Sequence, residues 1–246
     1  DRIRILLMKN TDGVLLYSEV QKNELLKYVD KSKIYVAQNT LDTKKLNDIK
    51  KILDKEKLDE VKKRLNFNKK INITFIGRLL SSKKPEILIN ILENYFNNFD
   101  DETCIHFIGD GEMKNQLLSK CKHYIDNENV KFHGKIDDEQ KTGELLYCSD
   151  LMVIPGYLGL SVVHAFCFGC PVVSFEENPH SPEKEYVKNF KTGFLARNEH
   201  DLNQFIFRYL NDNKLQTGMK EEIKNLINGK ASVNNMINGF IEAVEK

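Results

Sequence analysis

Short apolar runs alternate with stretches of helical period along nearly the whole chain. Residues 13–17 (Gly-Val-Leu-Leu-Tyr) read as a strand, 19–28 as the helix after it, and 33–36 as a second strand. The run Ile-Asn-Ile-Thr-Phe-Ile-Gly at 71–77 is the clearest strand, followed by a helical period over 84–96. The pattern then repeats: strands at 103–109, 130–133, 151–154 and 171–174, with helices at 112–121, 138–147 and 159–168 between them. Strands that read as near-continuous apolar runs, each followed by an amphipathic helix, predict a parallel sheet covered by helices on both faces. The crossovers should be right-handed. Residues 43–70 break the alternation, with apolar residues at helical spacing in a dense field of charge. They predict one or two amphipathic connecting helices. From 203 onward the pattern is helical, punctuated by Gly229 and Gly239.

The alternation divides the chain. Residues 1–42 read as the last βαβ of one α/β domain and 71–229 as a complete second one, joined by 43–70. Two strands and a helix bury too little surface to stand alone, so the first segment is expected to belong to a larger, here truncated, domain. The 246 residues carry 37 Lys+Arg against 36 Asp+Glu. That balance offers no basic excess for a nucleic-acid partner. No apolar run approaches the ~20 residues needed to cross a bilayer. Five scattered cysteines do not form a secreted disulfide framework, so a cytoplasmic setting is the expectation.

The candidate chemistry sits where strands end. The segment from Pro155 to Pro171 reads strand end, glycine turn, short helix, glycine stop, next strand. A helix start at Gly159, Leu160 and Ser161 presents free N–H groups and a partial positive charge suited to phosphate. Gly77 ends the strongest strand, and Arg78 and Lys83 follow it at the edge where ligands of open α/β sheets bind. Two cations there can clamp a diphosphate; the alternative is a pair of surface cations flanking a loop. Gly109-Asp110-Gly111 is a weak fragment of a dinucleotide fingerprint, more often a turn with the aspartate as N-cap. After the strand at 130–133, the backbone at Ile136 can pair with a nucleobase edge. Asp138 there accepts from guanine or, the favoured reading, Asp137 or Asp138 caps the next helix. His164 is either a core residue or a hydroxyl contact one turn into the helix. Glu183, next to Pro182, starts a helix by ordinary capping chemistry or overhangs the site. Cys167 and Cys170 form a C-x-x-C at the end of a helix, the wrong pole for lowering a thiol pKa, so they read as buried packing residues.

Together these segments resemble the retaining glycosyltransferases of family 4, which have the GT-B fold, a pair of Rossmann-like domains. The Gly-Arg…Lys element matches Gly77, Arg78 and Lys83, the Gly-Asp-Gly element 109–111, and the Val-x-Phe-x-Gly element Val130, Phe132 and Gly134. Ser149–Pro155 matches the family's strand ending in proline, Gly156–Val173 its signature, Pro182-Glu183 with Thr192-Gly193 its late element, and Val36-Ala-Gln-Asn39 the end of its N-terminal domain. The resemblance implies a UDP- or GDP-linked sugar as donor substrate, with no cofactor and no metal. Arg78 and Lys83 would hold the diphosphate as catalytic electrostatic groups. The backbone of Gly159, Leu160 and Ser161 would take the distal phosphate, Ile136 the base, His164 a ribose hydroxyl, and the Glu183 loop the donor sugar. It further implies a glycan or lipid-linked acceptor in surface polysaccharide synthesis, peripheral association with the inner membrane face, and a final helix, 230–246, returning to the N-terminal domain. One departure stands out. The family carries two glutamates eight positions apart, and here those positions are Gly156 and His164. Loss of both implies either a differently held sugar or turnover that is reduced or absent, as in a silent sugar-nucleotide-binding module or partner subunit.

Overall fold

The structure is a computed structural model that describes residues 2–95, 102–177 and 179–245. The N-terminal part begins with helix α1 (Arg2–Lys9), which the alternation did not foresee; it buries no side chain, and Ile3, Leu6 and Leu7 stay exposed. Strand β1 (Val14–Leu16), helix α2 (Glu19–Leu25) and strand β2 (Ile34–Val36) follow, the two strands pairing in parallel. Ser18 caps α2 by accepting the Gln21 N–H at 3.1 Å. Val14, Leu25, Val29 and Ile34 make a small core of their own.

Helices α3 (Thr43–Leu53) and α4 (Leu58–Arg64) form the charged connection, and α3 is capped by Asp42. The main sheet then begins: β3 (Ile71–Ile76), α5 (Ile87–Tyr95), β4 (Thr103–Ile108), α6 (Lys114–Lys120), α7 (Lys122–Asp126), β5 (Val130–Gly134), α8 (Glu139–Tyr147), β6 (Leu151–Val153), α9 (Ser161–Cys167), β7 (Val172–Phe175) and β8 (Gly193–Ala196). Helices α10 (Glu199–Asn211), α11 (Asn213–Asn228) and α12 (Val233–Val244) complete the chain. The expected helix 84–96 starts later because Lys84 sits in the left-handed region at φ 50 before Pro85; position 96 lies outside the described residues. The expected helix 112–121 is α6, and a further short helix, α7, follows it after Cys121. Strand β8 was not foreseen, because four residues between loops give too little period to read.

The six strands are all parallel in the order β5-β4-β3-β6-β7-β8. The chain winds outward from β3 through β4 to β5, returns through α8 to β6 on the other side of β3, and winds outward again. Right-handed crossovers in opposite directions put α5–α7 on one face and α8–α9 on the other. This is the doubly wound order, with its switch point between β3 and β6. Strands buried on both faces supply the core: every residue of β4 and β7 is buried.

Several buried polar groups inside the sheet bond one another, although the Thr103 hydroxyl in β4 has no partner among the described residues. His106 bonds His133 at 3.0 Å and Asn72 at 3.1 Å, and stacks on Phe67 with ring centroids 3.9 Å apart. The five cysteines are free and buried; burial pushes the Cys167 thiol up to about 12 and raises Cys170 as well. Both are packing residues, in keeping with the favoured reading. Gly229 does end α11, but Gly239 breaks nothing. It lies inside α12, where a Cβ would stand 2.1 Å from the Val36 carbonyl oxygen. Glycine there lets α12 lie directly on β2. Among the described residues no helix is long and apolar enough to cross a membrane.

Candidate functional site

The switch point brings together the loops that follow β3 and β6. The first, residues 77–83, is tied to the β4 side by Leu79 N–H to Asp110 O at 3.0 Å and by Met113 N–H to Leu79 O at 3.0 Å. It is tied to the β6 side by Gly156 N–H to Lys83 O at 3.0 Å and Tyr157 N–H to Ser82 O at 2.9 Å. The loop therefore lies flat between its neighbours. At Gly156 the packing excludes any side chain: a Cβ would come 2.1 Å from Ser82 O and 2.5 Å from Lys83 Cα. The position where the resembled family carries a glutamate is filled by the backbone of Ser82 and Lys83.

Lys83 folds back over the loop. Its Nζ donates to Tyr157 O at 2.8 Å and lies 5.9 Å from the centre of the Tyr157 ring, while its methylenes pack against Gly77. Burial, and secondarily the charge of Arg78, lower its pKa. A half-buried ammonium beside a second cation is relieved by an incoming anion. Arg78 is exposed and makes no ion pair among the described residues. The two cations of the diphosphate expectation thus share one edge of the sheet.

Across from them, the N–H groups of Gly159, Leu160 and Ser161 have no partner among the described residues. The Ser161 hydroxyl and His164 Nε2 are buried and equally without one. A run of orphan donors next to two unpaired side-chain polar atoms is uncommon in a folded interior. His164 also lies beside Phe168, ring centroids 5.8 Å apart, and burial holds its imidazole at about 4. Both readings of His164 thus have a physical counterpart: a ring packed in the core and a buried nitrogen without a partner among the described residues.

Leu158, just ahead of these donors, gives its N–H to His180 Nδ1 at 3.1 Å, and His180 Nε2 contacts Phe175 O at 2.7 Å. Since Nδ1 accepts, the proton sits on Nε2. Asp138 caps α8, accepting from Gln140 N–H at 2.8 Å and Lys141 N–H at 3.3 Å, as the capping reading expected. Asp110 pairs with Lys114 at 2.7 Å and caps nothing. Ile136 lies past the end of β5, two strands and on the order of 10 Å from β3. Its backbone groups have no partner among the described residues. Glu183 is buried, with its oxygens taken by the Asn39 amide and the Ser181 hydroxyl. Three features escaped sequence reasoning: the filled slot at Gly156, the Tyr157 carbonyl that aims Lys83, and the His180 brace. Each depends on a partner remote in sequence, and no local pattern announces it.

Burial lowers the pKa of four histidines: His106 well below its ordinary value, His133 and His164 to about 4, and His180 by a lesser margin. As pH falls below about 6.5, the unfolded chain binds protons that the folded chain refuses, so stability is lost toward pH 4. The shift at His164 alone corresponds to about 3 kcal/mol at the acid limit. Urea midpoints are expected to stay nearly level from pH 7.5 to about 6.5 and to fall from there to pH 5, and His164→Gln should flatten the fall; a midpoint independent of pH would contradict neutral buried imidazoles.

Comparison with known proteins agrees with this fold. The model of the family "Glycosyl transferases group 1" matches residues 56–226. The chain is 26% identical over 229 residues to an uncharacterized glycosyltransferase, MJ1069, of Methanocaldococcus jannaschii, covering 90% of this chain and 55% of that protein. It is 28% identical over 131 residues to the capsular polysaccharide biosynthesis glycosyltransferase CapH of Staphylococcus aureus, 50% of this chain and 36% of that one. Among solved structures, Anabaena HepE in complex with UDP superposes with a TM-score of 0.76 at 17% identity, covering 99% of this chain and 66% of that chain. The chain therefore spans less than two-thirds of the length of these relatives. With its doubly wound sheet and the match over residues 56–226, the chain belongs to the glycosyl transferases group 1 family and has the GT-B type of α/β architecture.

Proposed function

We propose that this chain carries the donor site of a retaining, family 4 glycosyltransferase. It would move a sugar from a UDP- or GDP-linked donor to a glycan or lipid-linked acceptor in surface polysaccharide or glycoconjugate synthesis. One observation carries the reading: two cations and a cluster of orphan polar groups converge on the switch point of a doubly wound sheet. In this reading Arg78 and Lys83 meet the diphosphate, and Gly159, Leu160 and Ser161 meet its distal phosphate. As the bond from the sugar's anomeric carbon to the diphosphate oxygen breaks, negative charge grows on the departing phosphate. Fixed donors already aimed there stabilise that charge without reorganising. His164 Nε2 bonds a ribose hydroxyl and Ile136 the base. The relatives support the class of donor and the setting: HepE was solved with UDP, and CapH acts in capsular polysaccharide biosynthesis.

A second reading, a sugar-nucleotide-binding module of weak or no turnover, is favoured by the filled slot at Gly156 and by His164 in place of a carboxylate. Titration of the chain with UDP and GDP tests the first claim, and a panel of sugar nucleotides followed by mass spectrometry separates turnover from mere binding. A chain that binds neither nucleotide refutes both readings. His164→Ala is expected to weaken the bound nucleotide by about three- to tenfold, the worth of one neutral hydrogen bond. Unchanged affinity with a lowered melting temperature would assign His164 to the core alone.

A further inference from the structure

We propose that Asn39 and Glu183 form a positioning pair that couples the crossing between the two sheets to the grip on the donor's phosphate. The inference rests on the donor site just described and adds residues that do not touch the donor. Glu183 is 1% exposed. A carboxylate is almost never so buried unless it is paired. Its partners come from both parts of the chain. The Asn39 amide, 144 residues away in sequence, donates to one oxygen, and the Ser181 hydroxyl donates to the other.

Asn39 is itself held on both sides. Its N–H donates to Tyr17 O at 3.3 Å, at the end of β1, and its carbonyl accepts the Tyr186 hydroxyl at 2.9 Å. A parallel tie runs from the Val20 N–H, at the start of α2, to Glu185 Oε1 at 3.2 Å. The two-stranded sheet thus grips the 181–186 segment through backbone and side chain together.

That segment reaches the donor site in one further step. The Ser181 hydroxyl lies 2.9 Å from Leu158 O, and the Ser181 N–H reaches the same oxygen at 3.3 Å. One hydroxyl proton is shared between the Glu183 carboxylate and the Leu158 carbonyl, and the charged acceptor is the stronger. Leu158 immediately precedes the orphan N–H groups at Gly159, Leu160 and Ser161. A rotation of the two-stranded sheet against the six-stranded one must strain the Asn39–Glu183 bond. It thereby redistributes the Ser181 proton and moves Leu158. The late-motif glutamate therefore acts through Ser181, from inside the crossing, and does not overhang the sugar.

The test is nucleoside diphosphate titration, with UDP and GDP, of the native chain and a swapped pair. Glu183→Gln sets one amide against another, and Asn39→Asp sets one carboxylate against another. Each single variant is expected to lose about tenfold in affinity, within the usual range of a coupling between sites. In Asn39→Asp/Glu183→Gln the new amide donates to the new carboxylate and its carbonyl keeps the Ser181 bond, so affinity should return to within about twofold of native. A merely structural role would change melting temperature and leave affinity in place. Single variants that bind like the native chain, or a double variant no better than the singles, overturn the proposal. Should Glu183→Gln fail to fold, Tyr186→Phe removes only the bond to the Asn39 carbonyl and should give the same loss at smaller size; native affinity there is equally fatal. Native binding that Arg78→Ala weakens while Glu183→Gln does not sinks this pair alone. A native chain that binds neither nucleotide sinks the donor site and the pair with it.

Discussion

Lys83→Ala is expected to cost about 10- to 100-fold in affinity for UDP or GDP, the equivalent of one charge-assisted hydrogen bond of roughly 1.5–3 kcal/mol. Lys83 should matter more than Arg78. Its ammonium is half-buried and already fixed on the Tyr157 carbonyl at 2.8 Å, so little entropy is spent when phosphate arrives. Arg78 is exposed, so its contribution is screened. Arg78→Ala is accordingly expected to cost less, and the cost should shrink further as salt is raised. The two losses should not simply add, because removing Arg78 also lifts the charge that lowers the Lys83 pKa. Isothermal titration at two ionic strengths measures all of this. Equal affinity in both single variants and the native chain would show that the diphosphate lies elsewhere.

Restoring the family's first glutamate should damage this protein. In Gly156→Glu the new Cβ would stand 2.1 Å from Ser82 O and 2.5 Å from Lys83 Cα, and both obstacles are backbone. The loop can yield only by breaking the bonds from Gly156 N–H and Tyr157 N–H to Lys83 O and Ser82 O. Overpacking of roughly 1–3 kcal/mol plus two hydrogen bonds of about 1 kcal/mol each puts the cost near 3–5 kcal/mol. The displaced loop carries Lys83 with it, so nucleotide binding should fall together with melting temperature. A Gly156→Glu variant that melts like the native chain and turns over sugar nucleotide faster would refute the placement of residues 81–83. The same geometry explains why Gly156 and the short Ser81-Ser82-Lys83 turn belong together: the loop occupies the volume that a side chain at 156 would need.

The layered α/β class was legible because its cause is local. A parallel strand buried on both faces must be apolar nearly throughout, so 71–77 and 103–109 stand out against the charged helices between them. Strand ends carrying Gly77, Arg78 and Lys83, or Gly159 and Ser161, were likewise visible, because turns and helix starts select residues over only a few positions. Asp138 as a cap and the buried thiols of Cys167 and Cys170 followed from the same short-range rules. Gly239 misled, since a glycine within a helix can mark close packing as well as a break.

What pairs across long stretches of chain was decided only by folding. Periodicity says that strands exist but not who their neighbours are. The order β5-β4-β3-β6-β7-β8, and with it the switch point that unites Lys83 with Tyr157, had to come from packing. Glu183 carried the motif of a ligand loop in sequence, and tertiary structure turned it inward onto Asn39. At position 156, glycine in sequence meant only the absence of a carboxylate. In the fold it is the space through which the Ser82–Lys83 backbone passes, because two chain segments far apart in sequence cannot share one volume unless one of them gives up its side chain.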